Sequence, residues 1–412
     1  MGLWKIAWRY LWRQPLVTLL TILGLSLGCA LISGVLTLRN ETERSLVSES
    51  GLYDIVIGAK GSPLQLVLSS VYHLDVPTGN IPYEEYLKLK DDFRVQSAIP
   101  LGMGDNYQGY RIIGTTQQFF NLKQTSSDGK SETPLLTLEE GQLFSKPFEV
   151  VLGSSVAKQT GLTLGDSFIG THGVTNIQGA ENHQKFPYVV VGVLQPNGTA
   201  NDRIIVTQLQ SVWKVHASEE ELHANIFNKP IENKLEVTAI LVKLTIPAMR
   251  YMLLDSINKN TTAMGAIPIN EMLRLYKKVL NPVQKTLLAV AYLVIIVSAL
   301  SIITSLYQSA ERRRNDIAIM RSMGAHSSDI LIIVLLEAFF LTFIGVICGW
   351  FFGHLALEIA TRVFSAETAI NISPWATSAF ELKAYLFVIV IGFAAGSVPA
   401  LLHYRRSPVR DL

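Results

Sequence analysis

Four long apolar runs constrain this chain more than any other feature: Leu16–Leu38, Thr286–Ala310, Ile330–Gly353 and Ala384–Leu402. The first holds 23 residues without a charge, where about 20 suffice to cross the hydrocarbon core of a bilayer. Hydrocarbon offers no water to an unpaired N–H or C=O, so runs of this length fold as helices. Their order, one run and then three after a long polar stretch, predicts an α-helical membrane protein with four transmembrane helices. A large α+β extracytoplasmic domain is then inserted between the first and second spans. Charged residues are 17% of the 412, against about 25% in soluble domains, and a net charge of +2 leaves no basic surface for nucleic acid.

The first run also exceeds the 7–15 apolar residues usual in a cleaved signal. Ser26-Leu27-Gly28-Cys29 only partly matches a lipoprotein cleavage site, and uncharged residues continue beyond the cysteine, so an uncleaved anchor over 15–38 is expected. Before it, residues 1–14 place Trp4, Trp8, Leu11 and Trp12 on one helical face and Lys5, Arg9 and Arg13 on another. Tryptophan opposite basic residues suits an amphipathic helix lying in the headgroup layer, with the three tryptophans as membrane anchors.

Residues 39–285 are polar, turn-rich and long enough to bury a core, expected as two subdomains plus a stalk. Asp54–Gly58, Tyr110–Gly114, Glu149–Gly153 and Tyr188–Gly192 each read as a β-branched strand ending at glycine; Leu235–Leu244 is another. Pro247–Asn258 reads as a helix, and Ile269–Val279 as a helical stalk into the membrane part, 286–412, with spans near 286–310, 330–353 and 384–402.

Positive residues retained beside short loops set orientation. The N-terminal segment (Lys5, Arg9, Arg13), the 310–329 loop (Arg312, Arg313, Arg314, Arg321) and the C-terminal segment (Arg405, Arg406, Arg410) hold ten basic residues. The 354–383 loop holds Arg362 and Lys383. Both termini and the 310–329 loop are therefore expected in the cytoplasm and the large domain outside.

Catalytic chemistry finds little support. Gly129-Lys130-Ser131 lacks the glycine at 124 that a phosphate loop needs, since Gln124 stands there, and Ala157 replaces the second glycine of a nucleophile elbow at Gly153-Ser154-Ser155. His172 and His183, in a glycine-rich loop, are the nearest approach to a metal pair but read as surface histidines; no metal, cofactor or catalytic set is expected. Glu337 is the one carboxylate inside an apolar run. It lies about 10 Å from the loop at ~1.5 Å per residue, close enough to reach the interface or pair with a cytoplasmic arginine. Gly24, Ser26, Gly28 and Ser33, with Gly392, Ala395 and Gly396, mark close helix packing, either within one bundle or between two chains.

Between the second and third runs, Glu311-Arg-Arg-Arg-Asn-Asp-Ile-Ala-Ile-Met-Arg-Ser-Met-Gly-Ala325, followed by Asp329-Ile330 and Leu336-Glu337-Ala338, resembles the signature of FtsX-like/MacB-type ABC transporter permeases. The ending Ser397-Val398-Pro399-Ala400-Leu401 with Arg406–Leu412 is similar to that family's closing motif, and Arg13–Gly24 to its first span. Gly141–Phe144, Val150–Ser154, Gly161–Asp166 and Val189–Leu194 resemble its periplasmic core domain. The resemblance implies a dimeric inner-membrane permease, paired with itself or a related chain, and driven by two copies of a separate cytoplasmic ABC ATPase. That ATPase, not this chain, would bind ATP and magnesium. It implies mechanical transmission from the ATPase to the periplasmic domain, for export or extraction of a lipoprotein, peptide or hydrophobic compound, with a periplasmic or outer-membrane partner. A non-transporting membrane scaffold that regulates a periplasmic protein is the alternative. The expected ATPase contact is Asp316, Ile317, Met320, Arg321 and Gly324, with Arg312, Arg313 and Arg314 as headgroup anchors.

Overall fold

A computed structural model describes residues 2–125, 132–173, 185–224, 227, 235–364 and 373–404. Helices α1 (Leu3–Leu11) and α2 (Pro15–Ser50) come first. Next are strands β1 (Ile55–Ala59), β2 (Val95–Tyr107), β3 (Tyr110–Thr115), β4 (Leu138–Gly141), β5 (Glu149–Leu152), β6 (Ser167–Phe168), β7 (Thr171–His172), β8 (Tyr188–Leu194) and β9 (Ile204–Gln208). Helix α3 (Leu209–Val215), β10 (Ala239–Leu244) and β11 (Ala263–Ala266) complete this region, and α4 (Asn281–Arg312), α5 (Arg314–Ser322), α6 (Ser327–Phe364) and α7 (Ala379–Tyr404) follow. The chain divides into two compact units: a helical one of Met1–Thr42, Lys277–Ala366 and Ile372–Leu412, and a mixed one built on Glu43–Tyr276.

Among the described residues, four helices are long and apolar enough to cross a membrane, lying within Pro15–Arg44, Pro268–Arg312, Ser327–Val363 and Ala379–Leu401. They extend past the apolar runs because polar residues at their ends remain helical. One consequence corrects the reading of Glu337 as the sole carboxylate within a span: α7 starts at Ala379, so Glu381 lies inside it, fully buried. Leu19, Leu20 and Leu23 of α2, Leu293, Ile296 and Leu300 of α4, and Leu386, Phe387 and Val390 of α7 are exposed. Water would not tolerate such continuous apolar faces, whereas hydrocarbon solvates them.

Small residues let the backbones approach. A Cβ on Gly349 of α6 would lie 2.7 Å from the Ser26 carbonyl oxygen of α2, and one on Gly353 would lie 2.9 Å from that of Ala30. On α2, a Cβ on Gly28 would press 2.9 Å from Ile295 of α4. Gly392 and Gly396 of α7 abut Thr342 and Ala338 of α6. The small-residue stripes seen in sequence thus serve packing within one bundle, and Gly345-x-x-x-Gly349-x-x-x-Gly353 adds a third that sequence reading did not single out.

The mixed unit is organised by an eleven-stranded sheet in the order β11-β1-β10-β2-β3-β9-β5-β8-β4, with β7 added to β2 and β6 to β8. Pairs β3–β9 and β5–β8 are parallel. Long β2 joins the two ends of the sheet: Val95–Leu101 pair with β10, and Gly102–Tyr107 with β3. Val56, Leu241, Val151 and Ile204 share one core, whereas their strand neighbours Ile57, Ile240, Val150 and Ile205 point into separate cores on the opposite face. Burial on both faces explains why these strands read as continuous β-branched runs. The expected strands all appear, although 235–244 breaks at Thr238, and β2 is additional. The helix expected over 247–258 is a tight turn at Pro247–Met249 followed by Arg250–Asn260.

Candidate functional site

The arginine-rich stretch folds as α5, between α4 and α6. Asp316 in its first turn complements the helix dipole. Its end is set by Gly324 at φ +99°, a left-handed conformation that glycine adopts without penalty. The Ala325 N–H then donates to the Met320 carbonyl at 3.0 Å, closing a Schellman-type cap. A Cβ on Gly324 would meet nothing within 4 Å, so backbone conformation alone selects glycine here.

Where α4 gives way to α5, Arg313 turns into the bundle. Its Nη1 and Nη2 donate to Glu337 Oε1 and Oε2 of α6 at 2.6 and 2.8 Å. Nε donates to the Ser309 carbonyl at 3.0 Å, Nη2 to Ser309 Oγ at 2.7 Å, and the guanidinium lies 4.0 Å from the Tyr10 ring centre of α1. The two side chains are only 10% and 2% exposed. A carboxylate at this depth is tolerated because a planar donor fork matches both its oxygens. Arg313 is thereby withdrawn from the headgroup role expected for it. Arg312 is exposed, and the side chain of Arg314 lies outside the described residues.

A second tie is looser. Arg13 Nη1 donates to Asp316 Oδ2 at 3.2 Å with both groups open to solvent, an arrangement contributing about 0.2–1 kcal/mol. Leu11 and Ala7 bury the inner face of α1, and Trp8 meets Phe340 of α6 edge-on. Trp4, Trp8 and Trp12 remain 41–59% exposed.

Of the expected contact residues, Asp316 is engaged by Arg13, and Ile317 and Met320 are half-buried. The side chain of Arg321 lies outside the described residues. The fully presented apolar groups are instead Ile319 and Met323, 56% and 76% exposed. Their i, i+4 spacing was the available signal.

A second polar cluster was not legible in the sequence. His354 of α6 and Glu381 of α7, both fully buried, meet at 3.0 Å, and Tyr385 donates to the same Glu381 oxygen at 2.5 Å while touching Ser33 of α2. The Pro374 carbonyl, 2.5 Å from His354 Nδ1, can only accept, so Nδ1 carries a hydrogen.

In the mixed unit Asp105, His172 and His216 converge beside a cavity of about 600 Å³. His172 thus has His216 for its neighbour; His183, its expected companion, lies outside the described residues, as does Gly129-Lys130-Ser131. Ser154 opens a short helix after Gly153 and is buried, which suits packing and not nucleophilic attack.

A family model described as the MacB-like periplasmic core domain matches residues 18–248, more than half the chain, and one described as the FtsX-like permease C-terminal domain matches 288–408. The chain is 22% identical over its whole length to the pyoverdine export ATP-binding/permease protein PvdT of Pseudomonas syringae pv. tomato, of which it spans 60%. It is 28% identical over 37% of its length to the macrolide export ATP-binding/permease protein MacB of Rhodopirellula baltica, covering 22% of that protein. The crystal structure of the periplasmic region of MacB from Actinobacillus actinomycetemcomitans aligns with a TM-score of 0.33 at 14% identity, over 57% of this chain and 98% of that one. With the core-domain model covering most of the chain and the permease model most of the remainder, this multi-pass membrane protein belongs to the ABC transporter permeases of the MacB/FtsX type.

Proposed function

We propose that the chain is a mechanotransmitting permease whose α5 receives force from a cytoplasmic ABC ATPase borne on a separate chain. The observation that carries this reading is the way α5 is mounted. Arg313, at its root, is clamped to Glu337 deep in α6, and Arg13 ties Asp316 back to the N-terminal segment. Meanwhile Ile319 and Met323 stand exposed at its tip. A short helix fixed at its base and apolar at its tip suits a docking lever, because a push on α5 reaches α6 through a bidentate pair that resists shear.

The distribution of arginine and lysine supports placing both termini and α5 in the cytoplasm and the core domain outside, in the inner membrane. Asp316, Ile317, Met320, Arg321 and Gly324 remain the proposed docking segment, joined by Ile319 and Met323. Arg312, Arg314, Trp4, Trp8 and Trp12 serve as headgroup anchors. Both named relatives are exporters by name, of pyoverdine and of macrolides, which supports outward movement of a cargo here. In this reading the working unit is a dimer with two ATPase copies, and ATP and magnesium bind there.

The test is co-purification from membranes of the native host with ATPase activity as readout. Ile319→Glu with Met323→Glu should abolish the associated ATP hydrolysis while leaving the purified chain folded; undiminished activity would refute docking through α5. A cysteine at exposed Lys158 should react with membrane-impermeant reagents added from outside, and protection there would overturn the orientation.

A further inference from the structure

We infer that the core domain binds one divalent transition-metal ion, such as Zn²⁺, through Asp105, His172 and His216. Three elements distant in sequence build the site. Asp105 lies on β2, where the pairing with β3 shifts register between Met103 and Asp105. Such a bulge re-aims a side chain. His172 is the direct cross-strand partner of Asp105 on β7, and His216 follows α3 as its C-terminal cap.

The geometry suits a metal more closely than it suits a hydrogen-bonded triad. Asp105 Oδ1 lies 3.4 Å from His216 Nε2 and 3.8 Å from His172 Nδ1, and the three donor atoms fall within 4.8 Å of one another. Bonds of about 2.0–2.2 Å to a tetrahedral ion set its ligand atoms about 3.4 Å apart. The Asp105–His216 edge already has that length. The Asp105–His172 edge must close by about 0.4 Å, and the His172–His216 edge, bounded at 4.8 Å, must also come to about 3.4 Å; His172, 58% exposed on a two-residue strand, can rotate to supply both.

Three further observations point to a ligand. Asp105 is fully buried, so an ion held there would meet a desolvated carboxylate, which attracts a cation more strongly than a solvated one. Gly104 leaves room for the imidazole, since a Cβ there would sit 2.7 Å from His216 Nε2. Lastly, the two histidines line the cavity together with Trp213, Phe227 and Asn80. Two imidazoles and one carboxylate favour Zn²⁺ and its neighbours over Ca²⁺ or Mg²⁺, which take all-oxygen shells. The described residues supply three ligands, and the two histidines line the cavity, so a water or a donor atom of a bound molecule there can complete the shell.

The experiment uses the full-length, tag-free chain in detergent, stripped with EDTA and titrated calorimetrically with Zn²⁺ or Mg²⁺. Cobalt substitution gives an independent readout through its visible d–d bands. One Zn²⁺ per chain is expected, with no Mg²⁺ uptake. His172→Ala, an exposed change that leaves the fold intact, should weaken Zn²⁺ binding about 100-fold or more, since loss of even a supporting partner costs 10–100-fold. Gly104→Val should weaken it by crowding His216 Nε2 while leaving all three ligand residues in the sequence. Absence of stoichiometric Zn²⁺ uptake by the wild-type chain would overturn the inference. Uptake unchanged in both His172→Ala and His216→Ala would do the same, because it would then reside on other histidines.

Discussion

The Arg313–Glu337 pair gives the sharpest test of how the bundle is held. Glu337→Leu removes both acceptors of the guanidinium and leaves Arg313 buried with only the Ser309 carbonyl and hydroxyl and the Tyr10 ring. Two charge-assisted bonds are lost, each contributing about 1.5–3 kcal/mol net, and removing one partner of a buried pair costs about 3–5 kcal/mol. The Ser309 and Tyr10 contacts persist and place the expectation near 3 kcal/mol. For a unit of 150–250 residues that is on the order of 10 °C in midpoint temperature. Arg313→Met should cost a similar amount, since it strands the carboxylate among apolar neighbours. The double variant removes both charges, and apolar replacement of a complete pair is often neutral or stabilising. It should therefore melt within a few degrees of wild type, with a coupling energy of about 5 kcal/mol in the cycle, nearly the sum of the two single losses. Thermal unfolding in detergent, followed by tryptophan fluorescence, measures all four proteins. If Glu337→Leu melts within 2 °C of wild type, or the double variant loses as much as the two singles together, the pair is not the clamp described here.

Three further outcomes are expected. Gly349→Leu should prevent assembly of a stable bundle, because a side chain there would drive into the Ser26 backbone, while Gly34→Ala, whose Cβ would meet nothing within 4 Å, should be neutral by the same melting assay. Gly324→Ala should cost about 1 kcal/mol through the left-handed backbone alone, read as a small drop in midpoint without loss of expression. Burial lowers the pKa of His73 from 6.5 to about 4, so it is neutral in the folded domain and is protonated more readily when unfolded. Its contribution is complete above pH 6.5 and is lost as pH falls toward 4, with a ceiling of about 3 kcal/mol. Denaturant titrations across that range should show the decline, and His73→Asn, which tolerates the φ of +54°, should flatten it.

The membrane part was legible because hydrocarbon leaves so few options. Uncharged runs located four helices, yet their ends were read short, since Glu381 and His354 looked like loop residues until helical continuation placed them opposite each other. In the mixed domain, β-branched runs ending at glycine gave correct strand positions. β2 was not among the expected strands, because Pro100, Gly102 and Gly104 interrupt its β-branched pattern. In the fold two of those glycines, with Gly114 of β3, are where α3 packs on the sheet: added Cβ atoms would meet Leu209, His216 and Val212 at 2.9, 2.7 and 2.6 Å. The same disguise hid the three-residue cluster. Asp105 and His172 are adjacent only through strand register, and no spacing rule reports pairing between strands so far apart in sequence.

Glu337 and Glu381 show what a polar residue in an apolar helix specifies. Each is buried against a basic partner on another segment, Arg313 at the α4–α5 junction and His354 on α6. Between them the helices meet through glycine, serine and alanine, which permit close approach but do not fix one register over its neighbours. A one-turn slip of α6 along α2 would replace one small-residue contact by another at modest cost. The same slip would pull Glu337 off Arg313 and His354 off Glu381, leaving charged or polar groups unpaired in hydrocarbon at several kcal/mol each. Register is therefore set by the two polar pins and closeness by the glycines. In the proposed mechanism, a force delivered at α5 would act first on the pin that holds α6 in place.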